Sequence, residues 1–170
     1  HPVEAYLDTL DRSDGRAIVN WPVMNQSSEA IEEMVTSPVT ILGLADTGAH
    51  ATQIMDASQP TYLLSHWVRD LGVLSLQEGI RRLTSDTADF IGYVDRGVIK
   101  EGAYADLNVL DIDGMALALP EIVHDFPGGA PRFVQKASGI DHSIVNGVPF
   151  MEAGEHTGAL AGRLLRSTDA

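Results

Sequence analysis

The chain has 170 residues, is 44% hydrophobic and 21% charged, and carries a net charge of −13 with no cysteine. That is length and apolar content enough for a packed core, and it excludes a disordered chain, a disulfide scaffold and a thiolate metal site. The scattered acidic charge repels phosphates and anionic lipid, so no nucleic acid and no membrane partner is expected, and with no span-length apolar run or signal peptide the expected location is cytoplasmic.

Residues 2–11 read as a short helix, with Val3, Tyr6, Leu7 and Leu10 at near-helical spacing and Pro2 in its first turn. Turn chemistry at Asp11 to Arg16 leads into an apolar run, Ala17 to Val23, expected as a strand. Ser27 and Ser28 can cap a helix whose early acids, Glu29, Glu32 and Glu33, suit the dipole. A second buried strand is expected from Ser37 to Asp46. Continuous apolar strands alternating with helices point to parallel strands covered on both faces, a βα layer or barrel segment. Thr61 to Gly72 then reads as a helix with Tyr62, Leu63, Trp67, Val68 and Leu71 inward. Leu76 to Leu83 follows with Ser75 and Glu78 as a capping box, and Ser85 to Gly92 is a short helix with a glycine stop.

From Tyr93 the pattern changes to short β-like runs punctuated by Gly and Pro, and Asn146-Gly147 between two apolar runs signals a hairpin. No helical pattern recurs before the last twenty residues. The expected division is 1–92, α/β, and 93–170, β-rich.

Asp46 ends an expected strand, which is where sites gather in α/β folds, but a strand-end aspartate also caps turns. His50 lies four residues on, with Gly48 between, so a loop rather than a shared helix face is expected. His66 sits on a helix beside Trp67, and His124 precedes the Gly/Pro-rich stretch "DFPGGAPR". Each has a plain structural reading as well. No HExxH, His-x-His, phosphate loop or G-x-S-x-G is present, so no local cluster offers the three or so ligands of a catalytic metal.

In order, "PVTILGLADTGAH", "MDASQPTYLLSHWVRD", "RRLTSDTADFIGYVDRGVIKEGAYADLNVLD" and "VHDFPGGAPRFVQKASGIDHSIVNGVPFMEAGEHTGALAGRLLR" resemble the C-terminal part of the N-acyl-D-amino-acid deacylases (D-aminoacylases), within the metal-dependent amidohydrolases. "DRGVIKEGAYADLNVLD" is shared across the superfamily, whereas "DASQPTYLLSHW" and "GEHTGALAGR" point to the deacylase branch. The resemblance implies the last βα units of a (β/α)8 barrel followed by a segment of an appended β-sandwich. It implies that Asp46 is the catalytic acid/base at the end of the last barrel strand, beside one or two zinc ions that it can help ligate. The remaining ligands belong to strands that would precede His1. His50, His66 and His124 are then candidates for the substrate pocket. Ala45 and Thr47 stand where the family usually has serine and glycine, and a threonine tolerates positive φ poorly.

The chain starts His1-Pro2 without methionine, which the resemblance makes a piece of a longer protein or a truncated relative. Taken alone it is then expected to be inactive, to bind no cofactor tightly, and to self-associate or require a completing chain. Two competing readings are a non-catalytic scaffold module and an amidohydrolase acting on cyclic amides.

Overall fold

The structure, a computed structural model, describes residues 1–166. By its contacts the chain divides into two units, His1–Met34 and the part from Val35 onward.

In the first unit, helix α1 (Pro2–Arg12) forms as its pattern requires. The His1 ring nitrogen accepts the Val3 N–H at 3.3 Å, and Glu4 reaches back to the terminal amine. The run 17–23 is a correction to the expected strand. It has no ladder partner among the described residues, and Trp21 is 80% exposed. Helix α2 (Ser28–Thr36) begins where Ser27 Oγ accepts the Ala30 N–H at 3.2 Å.

In the second unit the run 37–46 is likewise not a strand, and Val39 is 90% exposed. An apolar run becomes a strand only when a neighbour completes its ladder. The carbonyls of Ser37 and Thr40, at the start of this run, accept the guanidinium of Arg82, at 2.8 and 3.3 Å. Among the described residues every strand pair is antiparallel, so the expected parallel pairing is not formed.

The helix expected over 61–72 forms as α3 (Gln59–Tyr62) running into a π-helix, Leu63–Asp70. Leu63, Leu64, Trp67 and Val68 are buried, whereas Tyr62 and Leu71 are exposed. The wider i→i+5 turn, seen in Leu71 N–H donating to His66 O at 2.9 Å, advances the buried face relative to a 3.6-residue reading. Helix α4 (Leu76–Leu83) carries the capping box: Ser75 Oγ accepts the Glu78 N–H at 3.2 Å and Glu78 accepts the Ser75 N–H at 2.9 Å. Gly79 lets α4 pack tightly there, since a Cβ would lie 2.6 Å from Val68. Helix α5 (Ser85–Ile91) stops at the left-handed Gly92.

The remainder is β-rich. Strands β1 (Leu107–Leu110), β6 (Ile140–Val145), β7 (Val148–Glu152) and β8 (Glu155–His156) form one sheet in the order β1-β6-β7-β8. Strands β2 (Ala116–Leu117) and β5 (Ala137–Ser138) pair, as do β3 (Glu121–Phe126) and β4 (Ala130–Val134). Asn146 (φ 49°) and Gly147 (φ 80°) make the expected β6–β7 turn. The stretch Asp95 to Asp111 frames this sheet. Asp106 accepts the Asn146 N–H at 2.8 Å and is paired with Arg96, and the Tyr104 ring lies between the guanidinium groups of Arg96 and Arg163, 4.3 and 4.4 Å from its centre. Residues 157–166 form no helix, and 167–170, which share the expectation for the last twenty residues, lie outside the described part.

Arg69 ties the π-helix to the turn after β1. Its Nη1 donates to the carbonyls of Ile112, Asp113 and Met115 at 3.0, 3.3 and 2.6 Å, and Met115 is only 1% exposed. One nitrogen with two hydrogens is shared among three carbonyls. The variant Arg69→Met should lower the midpoint of urea denaturation; an unchanged midpoint would show that water replaces the contacts without cost.

Candidate active site: the Asp46 turn

Asp46 opens a turn that twists left-handed repeatedly. Its φ is 51°, Gly48 is at 87°, His50 at 56° and Ala51 at 57°. Three of these four carry a Cβ, and the left-handed region costs an L-residue about 1–2 kcal/mol, less for Asp. The turn is closed by its own backbone: Ala49 N–H to Asp46 O at 3.0 Å, Ala51 N–H to Gly48 O at 3.0 Å and Gly48 N–H to Ile54 O at 3.1 Å. Thr47 is not among the left-handed residues, so its replacement of glycine is accommodated; the strain falls on Asp46 and on the residues after Gly48. Asp46 and His50 are both exposed and belong to this one turn. Such strain persists only where surrounding structure over-determines it, and it concentrates at functional sites.

His66 and His124 are placed elsewhere. His66 stacks on Tyr62, ring centres 4.7 Å apart and planes 18° apart, and meets the edge of Trp67 at 5.2 Å. Its ring is half-buried in this aromatic packing. His124 is on β3, exposed, with Nδ1 3.1 Å from the carbonyl of Gly129. A carbonyl only accepts, so Nδ1 is the donor in this contact.

Next to it Asp125 accepts two bonds of 2.6 Å from Arg132. Hydrogen bonding from Arg132, followed by its charge, holds the Asp125 carboxyl below its ordinary value. A lowered folded pKa stabilises the hairpin fully above the unfolded carboxyl value of about 3.9, and the contribution fades as pH falls through the lowered value. Acid titration of the β3–β4 amides by NMR should show local opening below that range, and Arg132→Gln should move its onset to higher pH; an unmoved onset would remove the pair from the account.

Two open depressions, of 280 and 460 Å³, are lined by residues of α4, α5 and their neighbours, including Arg96 and Asp106 in one and Arg82 and Phe90 in the other. None of Asp46, His50, His66 and His124 lines either. Among the described residues no three His, Asp or Glu side chains gather closely enough to hold a metal ion. A catalytic metal centre takes about three protein ligands, so these residues do not by themselves form one. Two contacts that steady the Asp46 segment have no signature in the sequence: the grip of Arg82 on Ser37 and Thr40, and the Phe133 N–H donating to the Ala51 carbonyl at 3.2 Å. Helical periodicity alone does not separate Arg82, which is 5% exposed, from the outward Arg81 beside it.

The sequence pattern of the amidohydrolase family matches residues 10–150, a stretch that contains Asp46. The chain belongs to the amidohydrolase family. This amidohydrolase chain is 33% identical over 108 residues to a D-aminoacylase of Alcaligenes xylosoxydans xylosoxydans; the match covers 64% of it and 20% of that relative. An N-acyl-D-glutamate deacylase of the same organism is 32% identical over 87 residues, 51% of this chain and 16% of the relative. A crystal structure of D-aminoacylase said to define a novel subset of amidohydrolases superposes with a TM-score of 0.50 at 33% identity, over 62% of this chain and 20% of that one. A mutant D-aminoacylase in complex with CuCl2 gives 0.51 at 34% identity with the same coverage. A third D-aminoacylase structure, at 0.50, concerns the functional role of a binuclear metal centre. The amidohydrolase chain thus spans about a fifth of the length of the relatives it matches.

Proposed function

We propose that this amidohydrolase chain supplies the acid/base aspartate, Asp46, to hydrolysis of the amide bond of N-acyl-D-amino acids. The observation that carries the reading is the likeness to two hydrolases whose names share that substrate class, a D-aminoacylase and an N-acyl-D-glutamate deacylase. Asp46, exposed at a strained turn within the family match, is the residue whose setting suits the role.

As a carboxylate, Asp46 accepts a proton from the water that adds to the amide carbonyl. It returns that proton to the nitrogen as the C–N bond breaks, leaving a carboxylic acid and a D-amino acid. His50 shapes the turn, while His66 and His124 are candidates to line the substrate pocket. A zinc ion belongs to this reading only for the whole polypeptide, because the described residues do not assemble its ligands.

The finer architecture is part of the same proposal. Residues 1–92 act as the last βα units of a (β/α)8 barrel and 93–170 as a segment of the appended β-sandwich. The runs 17–23 and 37–46 pair as strands when neighbours are present. Their exposed side chains, Ile18, Val19, Trp21, Val39 and Leu44 among them, support this reading and make self-association or a completing chain the expected state. A sharp monomer peak on size-exclusion chromatography would count against it.

The function is tested by offering N-acetyl-D-amino acids, their L-enantiomers and cyclic imides to the complete natural polypeptide that carries this chain. Release of free D-amino acid, with little turnover of the other two classes, is expected. Preferential opening of cyclic imides would give the site to a ring-amide hydrolase instead.

A further inference from the structure

The Asp46 turn is strained, yet the hydrogen bonds inside it join residues at most six apart and leave its orientation to the outside. Two elements provide that outside hold. Upstream, the buried Arg82 of α4 donates from one guanidinium nitrogen to Ser37 O and from the other to Thr40 O, fixing the start of the segment that leads to Asp46. Downstream, the Phe133 N–H of β4 donates to Ala51 O, the last left-handed residue of the turn. That amide is not used by β3: it points off the outer edge of the β3–β4 hairpin and captures the turn there.

We propose that Arg82 and the Phe133 amide are positioning groups for Asp46: α4 and β4 clamp the 37–51 segment at both ends and keep its strained turn, with the aspartate, in working orientation. The inference rests on the reading of Asp46 as the acid/base group and adds to it the means by which the carboxylate is aimed. Arg82 suits the task because its planar fork reaches two carbonyls at once, which a lysine cannot reproduce. The outer edge of a hairpin suits it because a free N–H there has no ladder duty.

The test follows from the edge geometry. A proline is tolerated where a strand's N–H faces outward, so Phe133→Pro removes the clamp's donor and leaves the β3–β4 ladder, while Phe133→Leu keeps the donor and controls for the lost ring. In the complete natural polypeptide, Phe133→Pro and Arg82→Lys should each lower kcat by about 10- to 100-fold, as expected for a small misplacement of a catalytic group. KM should stay within about threefold, the acid limb of the pH–rate profile should move, and Phe133→Leu should remain near wild type. Independently of any variant, the Phe133 amide should exchange slowly with solvent deuterium. If Asp46→Asn abolishes turnover while both variants keep wild-type kcat, KM and pH profile, or if the Phe133 amide exchanges as fast as an exposed loop amide, the clamp is overturned and the acid/base reading survives. If Asp46→Asn leaves turnover unchanged, the clamp falls together with that reading.

Discussion

Asp46→Asn, made in the complete natural polypeptide, should lower the turnover of an N-acetyl-D-amino acid by about 10²- to 10⁴-fold, the range attached to a positioned acid/base group. Asparagine is the informative replacement. It is nearly the same size as aspartate, and it is among the residues that accept a left-handed backbone, so the φ of 51° at this position need not change. What disappears is the ability to take and return a proton. Binding should be little affected, and the loss should appear in kcat with KM roughly unchanged. A variant that keeps its thermal midpoint and most of its turnover would remove Asp46 from the chemistry.

The largest loss of stability is expected from Gly139→Ala. Gly139 has φ 84°, where an L-residue is strained, and a Cβ there would sit 2.6 Å from both the Asp111 carbonyl oxygen and the Met115 Cα. These are backbone atoms and cannot rotate away as a side chain end could. Their positions are also pinned, because the Asp111 N–H donates to Gly139 O at 3.0 Å and Met115 is the most deeply buried side chain. Strain of about 1–2 kcal/mol and overpacking of about 1–3 kcal/mol add to roughly 3 kcal/mol. Gly102→Ala separates the two causes: its φ is 85° but nothing lies within 4 Å of the added Cβ, so only the strain should be felt. Equal losses at the two positions in chemical denaturation would show that the close contacts at Gly139 relax freely.

Local chemistry was the legible part of this chain. Pro2 at a helix start, Ser75 with Glu78, Gly92 after α5 and Asn146-Gly147 between β6 and β7 all act through neighbours a few residues away, so the residues that decide the structure sit together in the sequence. The runs 17–23 and 37–46 have the composition of strands, but strand formation depends on a partner, and none is paired with them among the described residues. The π-helix was hidden for a different reason: the four apolar residues of Leu63–Asp70 come as two adjacent pairs, which do not distinguish a 3.6-residue turn from a wider one. At the candidate site, Asp46 was singled out by its place after an apolar run and by the family resemblance. What holds it was not, since a buried guanidinium reaching two carbonyls more than forty residues away and a backbone amide on a distant strand edge carry no local mark.

The most direct test of Asp46 as the acid/base group is chemical rescue. Asp46→Gly keeps the left-handed backbone and leaves a gap the size of a small carboxylic acid. Free D-amino acid released from an N-acetyl-D-amino acid should fall to near background in this variant and rise again, in proportion to concentration, when formate is added. Turnover by the glycine variant that already matches wild type, or a deficit that formate does not touch while the fold is intact, would contradict the assignment.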